Sequence, residues 1–435
     1  MHDDTHDNPP ATERYIISGA RRLRCGLTTG TCAALAALAA TQTLLTGTVP
    51  QTVTLITPKG WPACAAVLAD DAPHRYSVSK PSFCCGIRKD AGDDPDATDG
   101  CIVRATVTLF PNDAQEIVTV TIDGGAGVGR VTCAGLEQPV GNAAINRVPR
   151  AMLTDAVRAC CEDHAFCGSV RVVISVDDGE KLAARTFNPH LGITGGISIL
   201  GTSGVVEPMS EYAIIETIDA ALRLRAAEAA EREAAAENAL RTAAGAVSAQ
   251  RRRRPLILTP GNYGADFAAA WPALATFDAP PPVRCANFIG EALDRAVLHG
   301  FTHILLIGHA GKLVKLAGGI MNTHSRAADC RMELLCAHAA LLGAARATLS
   351  AIMQCVTVDA ALDVLDATPR ADGIDCSAAE VMQCITRAAQ RHLATRVART
   401  GSTAAVGVVM FTEKRKIIGI SDEARALMQN TTHTA

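Results

Sequence analysis

The stretch Pro255-Leu256-Ile257-Leu258-Thr259-Pro260-Gly261-Asn262-Tyr263-Gly264 decides the architecture of the second half of the chain. Four arginines (Arg251 to Arg254) precede it, and the apolar run stops abruptly in a Pro/Gly loop. A short, wholly apolar strand with no polar alternation is buried on both faces, as in a parallel sheet. Two further runs repeat the pattern: Val283 to Ile289, ending at Gly290, and His303 to Ile307, ending at Gly308. Helical stretches at 265–270, 291–299 and 324–346 separate or follow these runs. Strand, glycine loop and helix in alternation imply βαβ units. Thr403 to Phe411, a charged turn, and Lys416 to Ile420 read as a closing hairpin.

Working toward the N-terminus, residues 226–250 are nearly all Ala, Glu and Arg. That composition reads as a solvated helix laced with i,i+4 charge pairs. Before it, the signals are mixed. Residues 28–46 read as a helix, with Thr28 and Thr29 able to cap its start and Gly47 as its stop. Short β-rich runs follow at Val53 to Thr57, Ile102 to Leu109, Ile117 to Ile122 and Val170 to Val176, and 150–165 looks helical. The expected fold is therefore α/β and α+β, in two domains. A loose tail (1–23) leads into a mixed α+β domain (24–205). A helical Ala/Glu/Arg-rich connection (206–254) then leads to a Rossmann-like parallel-sheet domain (255–435).

Bulk properties agree with a folded globular protein rather than a disordered one. The chain has 435 residues, 48% of them hydrophobic and 20% charged, with aromatics at only 3%, so Ala, Val, Leu and Ile must build the core. A net charge of −3 calls for neither nucleic acid nor a membrane surface. No apolar run reaches the roughly 20 residues of a membrane helix. Sixteen cysteines without a CxxC pair read as free thiols in a reducing cytoplasm.

Glycine loops at strand ends are where chemistry is expected, because open α/β sheets bind ligands at the carboxyl ends of their strands. Gly261, Asn262 and Gly264 form one such loop, and Gly308 and Gly311 belong to another. The second loop runs on through Lys312, Lys315, Asn322, His324 and Arg326. That many polar side chains after a buried strand would be costly in a core and make sense in a cleft. Neither loop has the G-x-G-x-x-G dinucleotide spacing, and Gly311-Lys312-Leu313 lacks the hydroxyl residue of a phosphate loop. The first half offers Asp123 to Gly129 and Gly192 to Gly204 as backbone-donor loops, each open to a hinge or hairpin reading. The acidic run from Lys89 to Gly100 does not fit a calcium loop, and no Cys/His pair has zinc spacing, so no metal is expected.

Taken in order, several segments resemble the CbiD family, the cobalt-precorrin-5B C1-methyltransferases of the anaerobic cobalamin pathway. They are CGLTTGTCAA (25–34), KDAGDDPDATDG (89–100), IDGGAGVGRVT (122–132), VGNAAINRVPR (140–150), TFNPHLGITGGISILGTSGVVEPMSE (186–211), PGNYG (260–264), NFIG (287–290) and IGHAGKLVKLAGGIMNTHSRAADCRME (307–333). The resemblance is collinear over about residues 24–350, and the Ala/Glu/Arg segment looks longer than is usual in the family. It implies S-adenosylmethionine as methyl donor and a cobalt-bound tetrapyrrole as acceptor, with cobalt present only as part of the substrate. A homo-oligomer, or contact with other enzymes of the pathway, stays open.

On that reading the donor belongs near Gly261, Asn262, Gly264, Gly308 and Gly311. The macrocycle's carboxylates call for cations and backbone donors, for which Lys89, Asp90, Arg147, Arg150, Gly195, Gly196, Lys312, Lys315, Asn322 and Arg326 are candidates. His309 and His324 are the candidates for catalytic proton transfer, since imidazole accepts a proton near neutral pH. Two other readings remain at this point: a nicotinamide-dependent oxidoreductase, disfavoured by the missing fingerprint, and a corrinoid carrier without affinity for the methyl donor.

Overall fold

Strict alternation of burial along Ile102–Pro111, with Val103, Ala105, Val107 and Leu109 turned inward, sets the first sheet. The structure, a computed structural model, describes residues 14–18, 21–69, 81–112, 117–243, 253–367 and 376–429. The chain divides into two compact units, 1–211 and 212–435.

In the first unit, α1 (Thr29–Thr46) begins with the Thr28 side chain accepting from the Thr31 amide and ends at Gly47. The sheet comprises β1 (Leu68–Ala69), β2 (Ser82–Arg88), β3 (Ile102–Pro111), β4 (Thr119–Gly124) and, after α2 (Arg147–Asp163), β5 (Gly168–Val176). Its order is β1-β2-β3-β5-β4, antiparallel except for the parallel β5–β4 pair. The alanine-rich helix α1 packs closely on β2, β3 and α2, and Leu35, Ile87, Val103 and Leu153 are fully buried there. The expected loose tail ran to residue 23, but Tyr15–Ser18 pairs antiparallel with Arg21–Arg24. This hairpin has no apolar alternation to announce it. The Arg22 guanidinium instead sits 3.8 Å over the Tyr15 ring.

The second unit opens with α3 (Glu211–Ala243). This helix is more than a solvated connection, because Ile218 and Leu222 are buried in the core of this unit. Then come β6 (Pro255–Thr259), α4 (Asn262–Ala270), β7 (Val283–Arg284), α5 (Ile289–Leu298), β8 (His303–His309) and the single-turn α6 (Ala310–Leu313). A helical stretch follows: α7 (Arg331–Leu341), α8 (Arg346–Met353), α9 (Val358–Ala367) and α10 (Ala378–Arg399). The hairpin β9 (Ala405–Thr412) and β10 (Lys416–Ile420) and the final helix α11 (Asp422–Gln429) close the unit. The sheet order is β7-β6-β8-β9-β10, with three parallel pairings and an antiparallel edge.

Both faces of this sheet are covered. Leu256, Leu258, Ile304 and Leu306 face the core built with α3, α5, α7 and α10. Ile257, Leu305 and Ile307 face the smaller core under α4 and α11. Such a side chain contributes about 1.5–3 kcal/mol by leaving water, so truncating Leu306 would cost more than any surface change. The structure is thus a mixed α/β fold with a parallel-containing sheet.

Two expected elements differ. Val283 to Ile289 is not one strand. It ends at Arg284, Ala286 takes a positive φ of 50°, and α5 begins at Ile289. The expected helix 324–346 starts only at Arg331 and breaks after Leu341. The Asn322 and His324 side chains accept the amides of His324 and Arg326, a local turn that competes with helix. Gly343, at φ 87°, then reverses the chain in a conformation side chains resist.

All sixteen cysteines are free thiols. Cys32, Cys85, Cys101, Cys160, Cys161 and Cys285 are among the buried ones, whereas Cys167 is exposed. Among the described residues, no helix is long and apolar enough to cross a membrane.

Candidate active site

Parallel strands ending side by side bring their following loops together, and the second unit uses this. The loop after β6 carries Gly261, whose φ of 145° only glycine adopts without strain. It leads into the first turn of α4, where no side chain caps the helix. The adjacent loop after β8 lies against it: a Cβ on Gly308 would stand 2.9 Å from the Pro260 ring, and one on Gly264 would stand 2.9 Å from the Ile307 carbonyl. Lys312 reaches across, its Nζ donating to the Pro260 carbonyl at 2.9 Å. Gly261, Asn262, Gly264, Gly308, Gly311 and Lys312 therefore form one cluster at the carboxyl ends of β6 and β8.

The loop after β7 joins from the other side. The Cys285 amide donates to the Thr259 carbonyl at 2.8 Å. Asn287 accepts the Thr323 amide on its carbonyl at 2.9 Å, and Phe288 bridges to Asn322. The loop from Asn322 to Arg326 is thereby tied to the same edge. Arg326 and His324 are exposed there.

His309 is the N-cap of α6, its Nδ1 accepting the Gly311 amide at 3.0 Å. His324 accepts the Arg326 amide on Nδ1, also at 3.0 Å. With Nδ1 used as acceptor, a neutral ring carries its hydrogen on Nε2. Each ring thus offers a donor, and the expectation of a proton acceptor is not met in this arrangement. The His309 ring also meets Phe411 edge-on, with centroids 5.9 Å apart.

Several expected rim cations prove to be structural. Lys315 is buried, with Nζ donating to the carbonyls of Thr323 (3.1 Å) and Ala328 (2.8 Å), so it braces the loop that carries His324. Lys89 is buried and paired with Asp96 at 2.7 Å. Asp90 is bidentate with Arg24, whose hydrogen bond holds its carboxyl below the usual range. Arg150 donates to the carbonyls of Ile145 and Ile122, and burial lowers its pKa. Gly196 is needed for packing, because a Cβ there would collide with Gly127. Gly195 faces open space, and Arg147 is exposed with its amide on Glu137.

The loops around 124–129 and 192–204 are not hairpins of their own but pair with each other, Gly127–Val128 running parallel to Gly196–Ile197. Their glycine amides are spent on each other and on β5: Gly129 on Ile197, Gly125 on Ile174. The acidic run is likewise an internal turn, with Asp96 accepting from the Thr98 amide and hydroxyl and Asp90 from the Gly92 amide.

One residue escaped sequence reasoning. Thr259, the last residue of β6, is 0% exposed, and its Oγ1 has no hydrogen-bond partner among the described residues. Its position at the junction of strand and glycine loop was the available signal. An unpartnered buried hydroxyl beneath a glycine loop is the kind of vacant valence a small polar ligand fills. Burial also pushes the neighbouring Cys285 thiol up to about 12 and holds the Lys312 ammonium below its usual range.

Comparison with known proteins bears on the same chain. The CbiD family model matches residues 17–208, and the model of the CbiD C-terminal domain matches residues 322–422. A Ruminiclostridium cellulolyticum protein named cobalt-precorrin-5B C(1)-methyltransferase is 42% identical over 401 residues, 92% of each chain. Namesakes from Alkaliphilus metalliredigens (35%, covering 96% of this chain and 97% of that one) and Salmonella typhimurium (40%, covering 80% and 81%) are also similar. A crystal structure of the Archaeoglobus fulgidus cobalamin biosynthesis protein cbiD is 27% identical, covers 72% of this chain and 86% of that one, and has a TM-score of 0.36. Matched by the family's models in both halves and by relatives over almost its whole length, this chain belongs to the CbiD family.

Proposed function

We propose that the chain methylates carbon 1 of cobalt-precorrin-5B, giving cobalt-precorrin-6A, with S-adenosylmethionine as donor, in cobalamin biosynthesis. One observation carries the reaction: 42% identity, over 92% of the chain, to a protein named for it. The placement of the donor rests on geometry. Gly264 and Gly308 let the two loops pack closely, Gly261 and Gly311 stay partly exposed at the carboxyl edge of the sheet, and the orphan hydroxyl of Thr259 suits a polar group. On this reading the second unit is a Rossmann-like, doubly wound domain, and the protein works in the cytoplasm on a tetrapyrrole partner.

When bound, S-adenosylmethionine supplies an electrophilic methyl group on a sulfonium. The chain's own residues supply position, and orientation alone can contribute several kcal/mol. His309 holds the turn of α6 and presents an Nε2 donor beside Phe411. Lys315 fixes the loop of Asn322, His324 and Arg326, leaving exposed Arg326 to meet a macrocycle carboxylate. With both rings capping through Nδ1, deprotonation of the product falls to solvent or to the macrocycle itself. Calorimetric titration with S-adenosylmethionine and its demethylated product tests the reading. We expect stoichiometric, micromolar binding of both; heat from the macrocycle alone would instead indicate a carrier.

A further inference from the structure

Three features meet within one residue's reach of Pro260. The first is the Thr259 hydroxyl, fully buried and unpartnered, on the sheet face that α4 covers, its Cβ 3.0 Å from where a side chain at Gly264 would begin. The second is Lys312, a half-buried ammonium that gives one hydrogen bond to the Pro260 carbonyl and has no carboxylate partner among the described residues. The third is the uncapped first turn of α4, nine residues long, whose leading amides at Asn262, Tyr263 and Gly264 have no partner within the helix. A cation, a helix N-terminus and a spare hydroxyl together favour a small anion with several acceptor lone pairs. Packing around them is close, since even a Cβ at Gly308 would crowd Pro260. A carboxylate, with two oxygens and about four lone pairs to share, is the small anion this set of donors suits.

We propose that Thr259, Lys312 and the first turn of α4 bind the α-carboxylate at the amino-acid end of the methyl donor. This rests on the donor placement given above and moves Lys312 from the macrocycle's rim to the donor. It assigns Thr259 a ligand contact that its burial otherwise leaves without purpose.

The test compares S-adenosylhomocysteine with methylthioadenosine, which keeps the nucleoside and lacks the amino-acid end, by calorimetry on the intact protein. Lys312→Met should weaken S-adenosylhomocysteine about tenfold or more and methylthioadenosine less than about twofold. Thr259→Val, close in shape, should weaken the former about fivefold and spare the latter. Lys312→Arg should recover most of the loss. Equal losses for both ligands, or none for either, would overturn the assignment. So would variants that bind both nucleosides normally yet show a raised KM for the tetrapyrrole, since the carboxylate would then be the macrocycle's. If Lys312→Met does not fold, as judged by thermal unfolding, Thr259→Val decides alone. Failure of the unmodified protein to bind S-adenosylhomocysteine would instead remove the donor site itself, a result separable from wild-type binding that the variants leave untouched.

Discussion

The ammonium of Lys89, 1% exposed, lies 2.7 Å from Asp96, and removing one partner strands the other. Burial alone would raise the Asp96 carboxyl, but the Lys89 charge and the hydrogen bonds from Lys89 and Thr98 outweigh it and hold it below the usual carboxylate range. A depressed carboxylate stabilises the fold above its unfolded pKa and stops doing so as pH falls through the folded value. Lys89→Met should cost about 2 kcal/mol at neutral pH, less than for a fully enclosed pair because Asp96 is 26% exposed. In that variant Asp96 keeps its bonds from Thr98 but loses the Lys89 charge, so its carboxyl rises and protonation becomes a partial relief. The stability gap to the parent protein should therefore narrow between about pH 5 and pH 3, as Asp96 is protonated first in the variant. Urea midpoints at the two pH values measure this; a constant gap would show that the cost of removing Lys89 does not come from the Asp96 charge. The sequence shows Lys89 beside aspartates but not its depth, which is why it resembled a rim cation. Thr259 was passed over for the complementary reason: one hydroxyl in an apolar strand gives no hint that its partner is missing.

Elements were legible where pattern and punctuation agreed. Thr28 and Gly47 bracket α1, and Pro255 to Thr259 is a strand because Leu256, Ile257 and Leu258 leave no face for water. They were not legible where tertiary bonds override local pattern. Val283 to Ile289 is apolar enough for a strand, but Phe288 and Gly290 bond to the loop at 321–322 instead. The hydrogen bonds at Asn322 and His324 delay α7 in the same way. The glycine of β8 offers the test at this scale. A methyl at Gly308 would press on Pro260 at 2.9 Å and on Leu313 at 3.1 Å, pushing the loop before α4 outward. Gly308→Ala should lower stability by about 1–3 kcal/mol and weaken S-adenosylhomocysteine by about tenfold. Thermal unfolding with calorimetry reads both, and full affinity in a well-folded variant would show that the loop can yield without consequence.

Across the molecule, the two units carry separate cores. Leu35, Ile87, Val103 and Leu153 belong to one, and Leu222, Leu256, Leu306 and Leu393 to the other. Each is large enough to fold alone. Residues 212–435, produced as a fragment, should unfold in one cooperative transition and still bind S-adenosylhomocysteine, because Gly261, Gly308 and Lys312 all lie within it. A fragment that is folded but inert toward the ligand would place essential contacts in the first unit. The parallel second half could be anticipated from three apolar runs cut by glycine loops. The hairpin at 15–24 could not, because an arginine-rich strand held by a cation over Tyr15 leaves no hydrophobic period to read.

The free thiols have a practical consequence. Electrophiles attack the thiolate, and burial pushes Cys160 and Cys101 up to about 11 and Cys32 and Cys161 up to about 12. A maleimide dye added to the native chain meets exposed Cys167 early, while these four stay dark until their sheet or helices part. The protein thus carries its own gauge of unfolding, readable as fluorescence acquired per chain.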